Sequence, residues 1–374
     1  MRNIWHLLFV ASLAALINVG CQNESPATAA DTPFRGGLEN RGVFNSKPLE
    51  TLTGEKWQFR TPDWIFSSVV ISGSKVYFGG ASGKFYALDK KGQEIWSYQA
   101  EGPIYGTAVV HNGVAYFGTM KGLFYALDLT TRQPRWTKTL TEGVYATAIE
   151  WNGNLLFGAL DSTFYCLSAA DGEEVWSYEV GSKVFATPAV RDGVAYFGGT
   201  NGIFHALDLA SGQPKWIMEA KEGPLPAEAI LSSATIGDSL VYYGSTNGLF
   251  FAVHLDTPEV AWVFPLKEPV SASPAFQDGK VYFGGWDGFM YALSAGTGEM
   301  IWKKNTEDQV LGSPAIAGSV VYFGNRAGSV FALNGQDGAE LWRFKTRFSV
   351  AATPVVDEGV VYVGSKDRRL YALH

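Results

Sequence analysis

Cysteine is nearly absent from this chain, with two in 374 residues, Cys21 and Cys166. A small scaffold stapled by disulfides is therefore excluded, and the fold must be held by a hydrophobic core. Charge is sparse as well: Asp, Glu, Lys and Arg make up 17% of the chain, and the net charge is −7. Nucleic acid is bound through clustered Lys and Arg, so this balance argues against it as a partner. Histidine occurs only as His6, His111, His205, His254 and His374. The chain has no H-E-x-x-H, G-x-S-x-G, phosphate-binding loop or dinucleotide fingerprint, and these absences leave no catalytic residue to nominate. No group of Asp, Asn and Glu stands at calcium-ligand spacing, so no metal site is expected.

What is present is aromatic and glycine-rich: 14% Phe, Trp and Tyr, with 43 glycines. The N-terminus reads as a targeting segment, residues 1–20. Arg2 supplies a positive start, and Ile4 to Ile17 form an apolar run too short to span a bilayer stably. The following Asn18-Val19-Gly20-Cys21 resembles a bacterial lipobox, with Asn18 where Leu is usual. Cys21 would then carry two acyl chains, enough for stable anchoring where one is marginal. The alternative is ordinary cleavage near Ala27-Thr28-Ala29, with Cys21 lost. Residues 21–48, polar and rich in Ala, Pro and Gly, read as a flexible tether. Cys166 takes a place held by Ala in other repeats and reads as a small buried hydrophobe.

An internal repeat is the strongest signal. Trp recurs at Trp57, Trp96, Trp136, Trp176, Trp216, Trp262, Trp302 and Trp342. A second marker accompanies it, from Phe85-Tyr86-Ala87-Leu88 to Leu370-Tyr371-Ala372-Leu373. Each unit reads as four short strands, A to D. In the fourth unit A is placed at Lys183 to Val190, B at Val194 to Gly198, C at Phe204 to Asp208, and D around Trp216. Dipeptides such as Asp192-Gly193 and Asn201-Gly202 supply the positive φ of tight hairpins. Strings such as Gly79-Gly80 are read as turn glycines. The expected fold is all-β: an eight-bladed β-propeller of four-stranded antiparallel blades over residues 49–374. The first Trp precedes the first A–B–C set, and the last C strand ends the chain. The ring is therefore expected to close by pairing the N- and C-terminal strands.

Ala206-Leu207-Asp208-Leu209-Ala210-Ser211-Gly212-Gln213-Pro214-Lys215-Trp216 resembles the tryptophan-docking repeat of quinoprotein (PQQ-like) propellers. The resemblance implies that the eight indoles pack between blades as structural docking residues. A lipoprotein-type start followed by eight such blades also resembles the BamB-like outer-membrane lipoproteins. That implies a non-enzymatic scaffold on the periplasmic face of the outer membrane. It would assist protein assembly by contacts with β-barrel assembly factors or unfolded outer-membrane proteins. The alternative implied by the repeat is a small-molecule or quinone site, pyrroloquinoline quinone (PQQ) with calcium, in a periplasmic dehydrogenase system. No local motif carries partner-contact residues over.

Aligning the units puts Ser68, Thr107, Thr147, Thr187, Ser233, Ser273, Ser313 and Thr353 at one position. Eight hydroxyls in register suggest either hydrogen bonds between blades or a ring of ligand contacts. Two residues earlier the symmetry breaks: Phe66, Tyr105, Tyr145 and Phe185, then Leu231, Ser271, Leu311 and Ala351. The aromatic half, with Trp64 and Trp286 from outside the repeat, is the candidate partner-binding rim; the other reading is that these rings are core filler. The longer loop at 221–228 joins the same rim.

Overall fold

The computed structural model describes residues 34–219 and 228–374. The targeting segment, Cys21, the start of the tether and loop residues 220–227 lie outside the described residues. The described chain forms eight separate four-stranded sheets, each antiparallel, with no α-helix. Blades 1 to 7 comprise residues 70–99, 109–139, 149–179, 189–219, 235–265, 275–305 and 315–345. Blade 8 takes its three inner strands from 355–373 and its outermost strand from Glu55–Arg60. The eight-bladed propeller with a composite closing blade is thus the observed fold.

Burial follows position in the blade. Strands B and C are buried on both faces, because neighbouring blades cover each sheet from either side. Strand D is outermost and alternates exposed with half-buried residues. Strand A is shorter than the sequence suggested: in blade 4 it covers only Ala189–Arg191, and residues 183–188 precede it as irregular chain. There Thr187 N donates to Ser233 Oγ of the next blade and Val184 N to the Ala159 carbonyl of the preceding one, instead of to strand B.

Glycine makes the blades stack. Gly79 ends strand B (Lys75–Gly79) rather than occupying a turn, which corrects the turn reading of Gly79-Gly80. A Cβ on Gly79 would lie 2.3 Å from Ile104 of the next blade. The same arrangement recurs at Gly118 with Val144, Gly158 with Val184, Gly198 with Ile230, Gly244 with Val270, Gly284 with Val310, Gly324 with Val350 and Gly364 with Ile65. Each blade thus offers a hole that admits one branched side chain of its neighbour, at a distance no side chain on the host strand would allow.

The tryptophans lock the outer circumference. Trp176 Nε1 donates to Leu209 O at 3.1 Å, and its indole lies against Gly212 in the C–D turn of the next blade. Trp57, Trp136, Trp262 and Trp302 repeat this on Gly92, Gly172, Gly298 and Gly338. Each of these glycines has a positive φ, so a side chain there would meet both backbone strain and an indole. In blade 2, Arg132 holds that place at φ 63, and its guanidinium lies 6.0 Å from the Trp96 ring.

The seam is made by the N-terminal segment. Trp57, Gln58, Phe59 and Arg60 pair with Ala372, Tyr371, Leu370 and Arg369. Where blade 8 lacks a C–D turn, Leu49 stands in: its carbonyl accepts Trp342 Nε1 at 2.8 Å and Tyr322 OH at 3.1 Å. Phe44 and Leu49 join residues of blades 7, 8 and 1 in one hydrophobic cluster. Over residues 34–48 the flexible-tether expectation is corrected, because this stretch is strapped across the ring. Backbone amides of Val190, Ile236, Phe276 and Ile316 donate to Leu38, Glu39, Arg41 and Gly42. The strap thereby covers strand-A edges of blades 4 to 7 at their A–B ends, edges that would otherwise leave amides unpaired. Arg35 is fully buried there and donates to the carbonyls of Pro314, Ser273 and Pro274. Burial pushes its pKa down to about 9.

One blade carries a titratable irregularity. His205 stands where other blades have Tyr or Phe, buried and stacked on Phe197 at 5.2 Å. Burial pushes its pKa down to about 4, from an ordinary value of 6.5. The unfolded chain therefore binds a proton between pH 6.5 and 4 that the folded ring does not. Stability present above pH 6.5 is lost as pH falls through that window, at a slope on the order of 1 kcal/mol per pH unit. Replacing His205 with Tyr should flatten the slope, measured as urea midpoints from pH 7 to 4. An unchanged pH dependence would assign the acid sensitivity to other groups.

Candidate functional site

Strand A of every blade runs along a central channel, and the residues before it form the channel mouth. The loops there are held in pairs. Amides of Ala81, Met120, Leu160, Thr200, Thr246, Trp286, Arg326 and Lys366 in the B–C loops donate to the D–A loops of the same blades, with N···O distances of 2.8–3.0 Å. The mouth is therefore a stiff scaffold that presents side chains in fixed order.

The eight hydroxyls face the channel, and six of them join neighbouring blades. Ser68 N donates to Thr107 Oγ1 at 3.0 Å, and the pattern continues through Thr147, Thr187, Ser233 and Ser273 to Ser313 Oγ. Six consecutive oxygens accept a neighbour's amide, which supports the inter-blade reading. Each keeps an O–H that can be donated into the channel. All eight residues line a cavity of about 420 Å³.

Above the hydroxyls, the four aromatics form a continuous arc. Phe66 and Tyr105 have ring centroids 4.7 Å apart, Tyr105 and Tyr145 5.9 Å, and Tyr145 and Phe185 5.4 Å. All four are half-buried and line the cavity, and none belongs to an inter-blade hydrophobic cluster. The rings are thus channel lining rather than core filler. Burial, with Tyr105 beside it, raises the Tyr145 pKa. Trp286 comes from the opposite half of the ring, where its Nε1 donates to Ser271 Oγ at 2.8 Å and its indole borders the cavity. Trp64 sits outside the cavity, 46% exposed and edge-on to Phe66 at 5.9 Å.

Lys366 was not singled out in the sequence. Its Nζ lies 4.9 Å from the Phe66 ring centroid, and the residue lines the same cavity. Burial and the nearby Arg326 charge hold its pKa below the usual lysine range. It occupies the B–C loop place of Trp286, a place whose residue type changes from blade to blade. Cys166 is buried, and burial pushes its thiol up to about 11, which leaves it unreactive at neutral pH.

The donor set decides which ligands suit the cavity. Among the described residues lining it there is no Asp, Glu, Asn, His or Cys. Calcium takes carboxylate and carbonyl oxygens, so this lining does not fit a calcium-bridged quinone. Nor does any carboxylate or imidazole stand beside the hydroxyls to activate one. Elsewhere among the described residues, no three acidic, His or Cys side chains gather as a metal site. No described helix is long and apolar enough to cross a membrane.

Eight tryptophan-docked blades around a hydroxyl-lined channel define a propeller of PQQ-like repeats. Residues 49–149, 139–269 and 286–374 match the family model described as outer membrane protein assembly factor BamB, and the chain belongs to that family. No curated protein sequence matches the chain. Among solved structures, BamB from Moraxella catarrhalis aligns with a TM-score of 0.75 at 23% identity, over 87% of this chain and all of that one. The quinohemoprotein alcohol dehydrogenase from Comamonas testosteroni aligns with a TM-score of 0.77 at 13% identity, over 91% of this chain and 80% of that one. The computationally designed protein Ika8 aligns with a TM-score of 0.73 at 17% identity, over 88% of this chain and all of that one. At these identities the structural likeness is one of fold.

Proposed function

We propose that this chain is a non-enzymatic scaffold of the cell envelope, anchored through Cys21 at the outer membrane and facing the periplasm. It assists outer-membrane protein assembly by binding proteins at the channel mouth, either β-barrel assembly factors or unfolded outer-membrane segments. The observation that carries this reading is the arc of Phe66, Tyr105, Tyr145 and Phe185 at the mouth, half-exposed on rigid loops. Aromatic side chains on fixed loops provide large contact area at little entropic cost, the usual make-up of an interface centre. Membership in the BamB family supports the same role. The lack of a carboxylate or imidazole in the cavity lining supports a binding role over a catalytic one.

The test is capture of envelope partners by site-specific crosslinking, with the captured proteins identified. Tyr105→Ala combined with Tyr145→Ala should reduce capture about tenfold or more, since central aromatic anchors each carry about 2 kcal/mol. The melting curve would show that the ring is intact. Undiminished capture by an intact double variant would remove the mouth as the binding face.

A further inference from the structure

The rim over blades 7, 8 and 1 differs in charge from the rest of the molecule. Its loops, residues 325–328, 346–351, 365–368 and 61–66, carry Arg326, Arg347, Lys366 and Arg368. Two more cations end the seam strands, where Arg60 pairs directly opposite Arg369. Like charges facing across a ladder are destabilising, and Arg326 similarly opposes the charge on Lys366. These loops contain two acids, and the D–A loop of blade 7 adds Glu307, which pairs with Arg343, and Asp308, which accepts the Gln309 amide; all four are engaged locally. Asp63 accepts the Trp64 amide at 2.8 Å, while Asp367 accepts the Arg347 amide at 3.0 Å and Tyr371 OH at 2.6 Å.

None of the six cations makes an ion pair among the described residues. Elsewhere the chain does pair such groups: Arg343 meets Glu307 and Glu340, and Lys90 meets Asp357 and Glu358. In a chain with 36 acids and 29 Lys and Arg, one sector thus gathers six cations that make no ion pair; Arg326 donates to Gln309 Oε1 and Arg369 to the Asp367 carbonyl. The same sector displays Trp64, 46% exposed, and Phe348, 57% exposed. They are the only aromatics among the exposed large hydrophobics of the described residues.

We infer that this sector is a docking surface for an acidic polypeptide segment that carries an aromatic residue, an inference that rests on the protein-binding role proposed above. Carboxylates on the segment would relieve the repulsion within the Arg60–Arg369 and Arg326–Lys366 pairs. An aromatic side chain would continue the ring contacts that run from Trp64 to Phe66 and on into the mouth. Shape favours a polypeptide over an anionic membrane. Lys366 and Phe66 line the concave cavity, which an extended chain can enter and a flat headgroup surface cannot.

The experiment uses the full chain and fluorescence anisotropy with a labelled peptide of Asp, Glu, Gly and Phe. Its amide counterpart, with Asn and Gln, and vesicles of phosphatidylglycerol are the comparison arms. The acidic peptide should bind, with affinity falling as salt rises, and the amide peptide should not. Arg347→Glu with Arg368→Glu, both at exposed positions, should weaken binding about tenfold or more. Lys366→Met should weaken it as well, and Lys121→Glu, on the same rim over blade 2, should leave it unchanged. Equal binding by the double variant, equal loss with Lys121→Glu, or binding to vesicles in place of the peptide would overturn the inference. This assay needs no native partner. Failed capture at Tyr105 and Tyr145 therefore counts against the scaffold role, and failed peptide binding counts against the docking surface alone.

Discussion

A chain lacking residues 50–60 should lose on the order of 5 kcal/mol of stability, a fall in melting temperature of about 10 °C or more. The strand Glu55–Arg60 supplies the outer ladder of blade 8, and its removal leaves the strand Arg369–Leu373 as an open edge. Trp57 and Phe59 go with it, and both pack against the cluster that unites blades 7, 8 and 1. Two further contacts are lost: Thr53 and Gly54 donate to the His374 carbonyl, and the Trp57 indole covers Gly92 of blade 1. Blade 8 would then meet blade 1 through Ile65 in the hole at Gly364, the rest of that cluster and the pairs of Lys90 with Asp357 and Glu358. The check is a calorimetric scan beside the parent. An unshifted transition would mean that the seam contributes nothing and that inter-blade packing alone holds the ring.

Gly158→Ala should cost about 1–3 kcal/mol, although alanine suits a strand at least as well as glycine. The cause lies in the next blade, where the added Cβ would stand 2.2 Å from Val184 Cγ1. Blade 3 and blade 4 must separate or Val184 must leave its hole, and either movement opens a buried interface on both sides. Val184→Ala alone should also destabilise, by leaving a cavity. Combined with Gly158→Ala it should recover part of the loss, because the pair restores one methyl-sized contact. The measurement is a double-mutant cycle on denaturant midpoints. Strictly additive losses would show that Gly158 is needed for its backbone and not for the space it leaves.

Both expectations depend on features with different visibility in the amino-acid order. The indoles, the Phe-Tyr-Ala-Leu marker and the Asn-Gly and Asp-Gly hairpins are local signals, readable because turn chemistry and side-chain alternation act within a few residues. The orphan Trp57 and the missing last D strand made the closing blade legible too. The register hydroxyls and the aromatic arc were visible as columns of the repeat. Gly198 had its place at the end of a strand, whereas Gly79 was misread, because a glycine beside a hairpin looks like turn chemistry until the neighbouring blade is in place. Lys366 was missed for a related reason: its repeat position varies freely, from Ala81 to Trp286, and carries no pattern until the loops are seen to converge.

The strap shows the same limit most clearly. Residues 34–48 have the polar, glycine-bearing composition of a linker, yet the ring offers them unpaired strand-A amides and a bed of carbonyls for Arg35 and Asn40. By itself the amino-acid order determined the number of blades, their strand order and the pairing of the chain's two ends, since each follows from repetition and short-range periodicity. Only the tertiary structure decided which glycines are holes, where the strap lies, and that six cations meet at one rim. Those outcomes depend on residues of different blades, tens to hundreds of positions apart, being brought within a few ångströms, and no short-range pattern encodes such proximity.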